Sequence, residues 1–362
     1  MGYLDDSLKK TTSIVIILGR GCNMNCCHCT QHDLNCNFEA KNHIDALLTW
    51  LYKWILSRDE NAFYLDSRKR KRICFYGGEP LMYFDKIMYI CNKLGEFGIT
   101  KNDVSYKVFT NGLLLNDFKL DFLKSYEFKI GLSYDSPEPL LLRSNVPDNN
   151  VIKMFNDYPF EKHVNSVYTA KYSLVDLFDG LAQIFPNTER TFGPLRDSNN
   201  ISEKLSLFPV GKVKQDIYDL YLYYLKNDFP RDIGNFLKGN FAYYTNLENK
   251  KDQGDAYEDV APYCGGISRR LSIDLLGNVF LCHCGSTVIG NVLKDDICDI
   301  NAKSYAILNQ NRSFECRQCK WLSVCASGCL EYKTNPDTHK ITQCVYFKEV
   351  NEARYELIFG HC

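Results

Sequence analysis

The first two-thirds of the chain alternates short apolar runs with amphipathic stretches. Residues 12–19 are mostly β-branched and apolar, which suits a strand buried on both faces. Residues 43–57 place Ile44, Leu47, Leu48, Leu51, Trp54 and Ile55 at helical spacing. Residues 73–76 predict a short strand ending in Gly77-Gly78, 83–97 a helix, and 104–110 a strand ending in Asn111-Gly112. The alternation continues with a helix over 117–126, a strand over 128–133, a helix over 151–158 and a strand over 164–168. It ends with a helix over 174–185, a weaker strand over 190–195 and a Tyr/Leu-rich helix over 215–226. A βα repeat of about six units implies a parallel sheet with helices outside. Right-handed crossovers would close it into a full or partial barrel. Periodicity alone leaves a partial barrel and an open doubly wound sheet both standing.

Residues 231–261 are polar and glycine-containing, as in a linker or bridging segment, and a cysteine-rich region follows. The expected order is a tail over 1–11, an α/β domain over 12–230, the bridge over 231–261, a small cysteine-rich domain over 262–350 and a tail over 351–362. Apolar residues make up 45% of the 362 and charged residues 24%, enough for a real core. The net charge of -1 argues against a protein built mainly to neutralise nucleic-acid phosphates. The N-terminus lacks an apolar signal region, and the aliphatic run 14–18 is far too short to span a bilayer. The expectation is a cytoplasmic protein with neither membrane nor nucleic acid as partner.

The anomaly is seventeen cysteines. In a reducing compartment these are metal ligands or catalytic groups more often than disulfides. Cys22, Cys26, Cys27, Cys29 and Cys36 crowd the N-terminus, nine lie from Cys264 to Cys344, and none lies between Cys91 and Cys264. Two metal regions flank a cysteine-free scaffold.

Directly after the first strand, Cys22-x3-Cys26-x2-Cys29 puts three thiolates on one loop. Soft thiolates suit iron–sulfur clusters or zinc. Three ligands on a [4Fe–4S] cube leave one iron open to a chelating small molecule. With His28 or His32 nearby, the same loop could instead hold zinc. In barrel enzymes the loops after the strands form the active site, and this loop is the first of them.

These residues resemble the signature of the radical S-adenosylmethionine (radical SAM) superfamily. The resemblance implies that the open iron takes the amino and carboxylate groups of S-adenosylmethionine. It places His28, where relatives usually carry an aromatic residue, near the adenine. Gly77-Gly78-Glu79-Pro80 resembles the family's motif for the cofactor's amino group. Paired glycines would let a ligand approach the backbone, and Glu79 could accept hydrogen bonds from an amine. Asn111 and Ser133, at the ends of the third and fourth strands, and Asp135 resemble polar strand-end contacts to the cofactor. Arg143 stands where related maturases carry an arginine near its carboxylate. Ordinary turn chemistry accounts for the same residue types. Ser136 replaces the glycine that relatives have after the aspartate, a departure from the pattern.

The C-terminal third contains Cys264, Gly277-x4-Cys282, Cys316-x2-Cys319-x5-Cys325-x3-Cys329 and Cys344. This order resembles the SPASM domain of peptide- and protein-modifying radical enzymes. The resemblance implies one auxiliary [4Fe–4S] cluster on Cys316, Cys319, Cys325 and Cys344. A second would sit on Cys264, Cys282 and Cys329, with Cys284 as candidate fourth ligand. Two structural zincs are the alternative. Cys27, Cys36, Cys74, Cys91, Cys298 and Cys362 have no assigned role, and most of them read as buried small apolar residues. The five basic residues 68–72 read as a solvated loop or as a dock for an acidic leader peptide.

The resemblance implies a partial (β/α)6 TIM-like barrel followed by a SPASM domain. It also implies three [4Fe–4S] clusters with S-adenosylmethionine, a flavodoxin-type reductase as electron donor, and a peptide or protein substrate. Only 21 residues precede Cys22, so leader recognition is expected to be built in or supplied by a separate protein. Modification of a small molecule or carbohydrate is the alternative among enzymes. A zinc-stabilised binding protein without catalysis is the alternative outside them.

Overall fold

The structure, a computed structural model, describes residues 6–29, 31, 44–59, 68–195, 207–239, 244, 269–310, 314–325 and 344–360. Its elements follow the predicted alternation. Helix α1 (Asp6–Lys10) precedes β1 (Ser13–Ile17), α2 (Ile44–Leu56), β2 (Lys71–Tyr76), α3 (Phe84–Glu96) and β3 (Val104–Thr110). Then come α4 (Asp117–Ser125), β4 (Lys129–Ser133), α5 (Asn149–Asn156), β5 (Lys162–Tyr168), α6 (Leu174–Ile184) and β6 (Glu189–Pro194). Helices α7 (Lys212–Lys226) and α8 (Arg231–Lys238) lead to β7 (Arg270–Asp274), β8 (Asn278–Phe280) and β9 (Val288–Asn291). Helix α9 (Ile297–Gln310), two single helical turns and α10 (Cys344–Phe359) close the chain.

The strands form one nine-stranded sheet in the order β6-β5-β4-β3-β2-β1-β7-β8-β9. A doubly wound sheet reverses its strand order at a switch point. Here β1 to β6 are consecutive neighbours, which is the arrangement of a barrel segment and decides between the two expectations. The register pairs Ser13 with Arg72, Cys74 with Lys107 and Lys107 with Lys129, all parallel.

The chain divides into two compact units. The first comprises Met1–Ser133, Ser144–His163 and Gly265–Ile307. Its sheet has one apolar face bearing Ile14, Ile16, Ile73, Phe75, Val108, Ile130 and Leu132, each fully buried. Stacked rings of Phe75, Tyr106 and Phe128 tie β2, β3 and β4 across that face. Helix α2 buries the apolar stripe read from its spacing, and the Trp54 indole N–H donates to the Thr11 carbonyl at 2.8 Å. The other face carries Arg72, Cys74, Lys107 and Lys129 together with Val15, Ile17, Tyr76 and Phe109, and leads up to the strand-end loops. Residues 265–307 were grouped by sequence with the cysteine-rich end. In the structure β7 pairs parallel with β1, matching Ser13 to Arg270 and Ile17 to Asp274, so β7, β8 and β9 extend the barrel sheet.

The second unit comprises Tyr134–Arg143, Val164–Cys264 and Leu308–Cys362. Its core packs Leu177 and Phe178 of α6, Val213, Ile217 and Leu220 of α7, Ile233 of α8, and Tyr346, Val350 and Ala353 of α10. Two boundaries differ from the sequence reading. The start of the expected bridge is helical, because Ile233 and Leu237 have an apolar core to enter. The expected tail from 351 continues α10, because Ala353 packs into the same core.

Candidate active site

β1 ends at Ile17, and Leu18 to Gly21 carry the chain into the cysteine loop. This exit stays zipped to the exit from β2. Leu18 N–H donates to the Tyr76 carbonyl at 2.9 Å, Gly78 N–H to Gly19 at 3.0 Å and Glu79 N–H to Gly21 at 2.9 Å. A Cβ on Gly78 would lie 2.2 Å from the Gly21 carbonyl oxygen and 2.4 Å from that of Arg20. A Cβ on Gly77 would lie 2.4 Å from the Gly19 oxygen. The paired glycines therefore allow two stretches of this chain's own backbone to touch, whereas the sequence reading reserved that approach for a ligand. Tyr83 completes the seam, its hydroxyl accepting from Gly21 N–H at 2.9 Å.

Glu79 is also used differently from the expectation. The sequence reading offered its carboxylate to an amine. In the structure it is 1% exposed and both oxygens are committed within the chain. Oε1 accepts from Leu81 N–H at 3.0 Å and the Thr110 hydroxyl at 2.7 Å, and Oε2 from Asn111 N–H at 2.8 Å. Burial pushes its pKa above the usual carboxylate range against those donors. Glu79 thus caps the turn at Pro80 and fixes the end of β3 to the end of β2. Pro80 is buried at the first position of that turn, where its missing N–H is not needed.

Asn111 reaches the cysteine loop. Its side-chain amide donates to Asn23 Oδ1 at 2.8 Å and lies 3.9 Å from Cys22 Sγ, while its Oδ1 accepts from Leu113 N–H at 3.0 Å. Within the loop, Cys29 N–H donates to the Cys26 carbonyl at 3.1 Å, and Gln31 N–H points at Cys29 Sγ from 3.4 Å. Ser144 accepts from Asn25 N–H at 2.8 Å. Cys22 is exposed, and Cys26, His28 and Cys29 are half-buried on the same loop. Ser133 is half-buried at the end of β4.

Asp135 and Arg143, expected as cofactor contacts, instead face each other. In the second unit Arg143 Nε lies 2.8 Å from Asp135 Oδ2, and Asp135 Oδ1 accepts from Val167 N–H at 2.8 Å. Both side chains are over nine-tenths buried, so each satisfies a charge that burial would otherwise make costly.

A second sulfur-rich turn follows β8. The donor atoms of Cys282, His283 and Cys284 lie within 4.8 Å of one another. Cys284 is buried, and its sulfur lies 3.6 Å from the Tyr76 hydroxyl. The residues flanking the first cysteine loop grip this turn. Arg20 donates to the carbonyls of His283 at 3.1 Å and Gly285 at 2.8 Å, and the Gln31 amide donates to His283 at 3.2 Å. Sequence reasoning missed Arg20, Asn23, Gln31, Tyr76 and Tyr83. Their one signal was position, beside the cysteines or the Gly-Gly-Glu-Pro turn.

In the second unit Cys316, Cys319, Cys325 and Cys344 are half-buried, and Cys319 N–H donates to Cys316 at 3.1 Å. Cys264 and Cys329 lie outside the described residues, as do Cys36 and Cys362. Cys74 and Cys91 are buried as expected, whereas Cys298 is exposed at the start of α9. The basic run serves the fold. Lys71 is fully buried, and Arg70 donates to the Lys101 carbonyl at 2.6 Å. Among the described residues, no helix is long and apolar enough to cross a membrane.

Residues 16–173 match the model of the Radical SAM superfamily. The chain is 25% identical over 348 residues to the radical SAM cyclopropyl synthase TigE of Paramaledivibacter caminithermalis, covering 89% of this chain and 68% of TigE. It is 23% identical over 366 residues to the cysteine-type anaerobic sulfatase-maturating enzyme of Clostridium perfringens, covering 92% of this chain and 94% of that enzyme. Native anSMEcpe with bound AdoMet superposes with a TM-score of 0.64 at 18% identity, covering 96% of this chain and 98% of that one. SuiB of Streptococcus suis bound to precursor peptide SuiA superposes with a TM-score of 0.60 at 16% identity, covering 92% and 75%. These two likenesses are of fold.

The family implies a [4Fe–4S] cluster and S-adenosylmethionine. The residues present fit such a cluster. Three thiols stand on one accessible loop, with the Gln31 N–H directed at one sulfur and the Asn111 amide near another. Such N–H groups stabilise thiolate charge.

Proposed function

We propose that this protein reductively cleaves S-adenosylmethionine at Cys22, Cys26 and Cys29 and modifies a side chain of a peptide or protein. When bound, the cluster supplies the electron that splits a C–S bond of S-adenosylmethionine, giving a 5′-deoxyadenosyl radical able to take hydrogen from a substrate carbon. The chain's part is placement. Cys22, Cys26 and Cys29 hold three corners. Asn111 steadies the loop through Asn23, and Glu79 and the glycine seam keep that loop in register with β2 and β3. The backbone of Gly77 to Pro80, with Ser133 and His28, borders the place where the cofactor would lie.

Cys316, Cys319, Cys325 and Cys344, half-buried in the second unit, would hold an auxiliary cluster, a group able to take up an electron. A flavodoxin-type reductase would provide the first electron. The peptide reading is supported by relatives whose names specify sulfatase maturation and by a similar fold that binds a precursor peptide. The observation that carries the proposal is the Cys22–Cys29 loop, seamed to the Gly77-Gly78 turn at the mouth of the sheet. To test the substrate class, a precursor peptide encoded beside the gene is prepared with deuterated side chains and turned over with reductant. Deuterium should appear in 5′-deoxyadenosine. Abundant product that takes hydrogen from a carbohydrate or metabolite, and none from any peptide offered, would overturn the peptide reading.

A further inference from the structure

Two sulfur-bearing turns of the first unit are built alike. In the cysteine loop the Gln31 N–H points at the sulfur of Cys29, two residues back, from 3.4 Å. In the turn after β8 the Cys284 N–H points at the sulfur of Cys282, again two residues back and again from 3.4 Å. An N–H aimed at a thiolate draws charge from the sulfur, and hydrogen bonds to the sulfurs help to set a cluster's reduction potential.

Gln31 joins the two turns. Its main chain serves Cys29, while its side-chain amide donates to the His283 carbonyl, between Cys282 and Cys284 in sequence, at 3.2 Å. That carbonyl also takes the Arg20 guanidinium at 3.1 Å, and Arg20 donates to Gly285 at 2.8 Å. The turn is anchored to the sheet as well. The His283 ring meets the Tyr76 ring edge-on with centroids 4.5 Å apart, and Tyr76 is the last residue of β2. Gln31 therefore hangs the backbone beside Cys29 on a point fixed by the second turn.

Holding Gln31 there adds little to stability. The residue is 7% exposed, and its Oε1 is buried without a hydrogen-bond partner. An unpaired buried acceptor costs about as much as the one amide bond returns. An apolar side chain of similar length would fill the same place without that cost, so what the amide contributes is position.

We propose that Gln31 is a positioning residue through which the Cys282–Cys284 turn sets the reduction potential of the [4Fe–4S] cluster on Cys22, Cys26 and Cys29, an assignment that rests on the cluster reading of that loop. While the amide holds the His283 carbonyl, the Gln31 N–H stays on Cys29, lowers the charge on its sulfur and favours the reduced state. When the turn shifts or the amide is lost, the N–H leaves the sulfur, the sulfur becomes richer in electrons and the potential falls. The second sulfur turn thereby governs how readily an electron enters at the first.

The test is a redox titration of the full chain, reconstituted anaerobically with iron and sulfide, as wild type, Gln31→Met, Arg20→Met and the double variant. Dithionite and mediators poise each sample, and the paramagnetic signal that S-adenosylmethionine perturbs reports the first cluster apart from any other. Gln31→Met should lower its potential by the equivalent of about tenfold in the reduction equilibrium, ~59 mV for one electron, with a urea midpoint like that of wild type. Arg20→Met should shift the potential in the same direction and add nothing in the Gln31→Met background, because its effect passes through Gln31. A folded Gln31→Met at the wild-type potential, or shifts that simply add, would overturn the proposal. If Gln31→Met does not fold, Arg20→Met decides: a potential that stays put while the amides of 282–285 exchange faster would overturn it. A wild type with no signal that responds to S-adenosylmethionine would overturn the cluster reading and this inference with it.

Discussion

At the scale of single residues, the buried charges show how far this chain fixes its frame before any chemistry begins. Lys71 is fully buried on the apolar side of β2, and its Nζ donates to the carbonyls of Leu8 at 3.1 Å, Lys9 at 3.3 Å and Thr11 at 2.9 Å. Two of those carbonyls belong to α1. Burial outweighs that solvation and pulls Lys71 down to about 7. The unfolded chain keeps the proton until about 10.5, so between those values it binds more protons than the native state and stability rises with pH. Urea midpoints of wild type and Lys71→Met at pH 7 and pH 9.5 check this. The wild type should gain stability over that interval relative to the variant, and parallel midpoints would assign the frame to other contacts. Glu79 and the Asp135–Arg143 pair belong to the same class of fixture. Their residue types and positions at strand ends were legible in the sequence, but their inward orientation was not. Orientation depends on which neighbouring strand offers a donor, and that is settled only by the register.

At the scale of elements, periodicity sufficed wherever a segment buries one clear face. The stripe of α2, the all-buried β1 and the run of β3 appear where the pattern placed them. It failed at β7, β8 and β9. These strands have five, three and four residues, too few for a period to emerge, and β7 carries charges at both ends. Their place is fixed by the long-range pairing of β7 with β1, onto which β8 and then β9 add as antiparallel neighbours. The turn after β8 owes its position to another long-range contact, the grip of Arg20 on His283 and Gly285. Arg20→Met removes both of those bonds. Amide hydrogen exchange over 282–285 should accelerate by about tenfold or more, since bonds from a charged donor are worth roughly 1.5–3 kcal/mol each. Amides of β1 and β2 should be unaffected. Unchanged exchange in the turn would mean that Gln31 and the β8–β9 hairpin hold it alone.

At the scale of the whole molecule, the chain's chemistry was more legible than its partition. Cysteine spacing and the Gly-Gly-Glu-Pro turn pointed to a radical SAM domain, and the consecutive strand order together with the match over 16–173 agrees. The partition was hidden because the stretch around Cys282 and Cys284 carries cysteines like the segment after it, yet its strands β7, β8 and β9 join the sheet of the first unit. Composition groups residues by chemistry, whereas β pairing groups them by geometry. The central claim concerns the Cys22, Cys26 and Cys29 loop, and one assay reaches it directly. Wild type and Cys22→Ala are reconstituted with iron and sulfide under anaerobic conditions, reduced, and supplied with S-adenosylmethionine, and 5′-deoxyadenosine is quantified beside bound iron. Wild type should form the product, while Cys22→Ala should form none and keep most of its iron on the remaining cysteines. Product from Cys22→Ala at the wild-type rate, or a wild type that binds zinc in place of iron and forms none, would contradict the account.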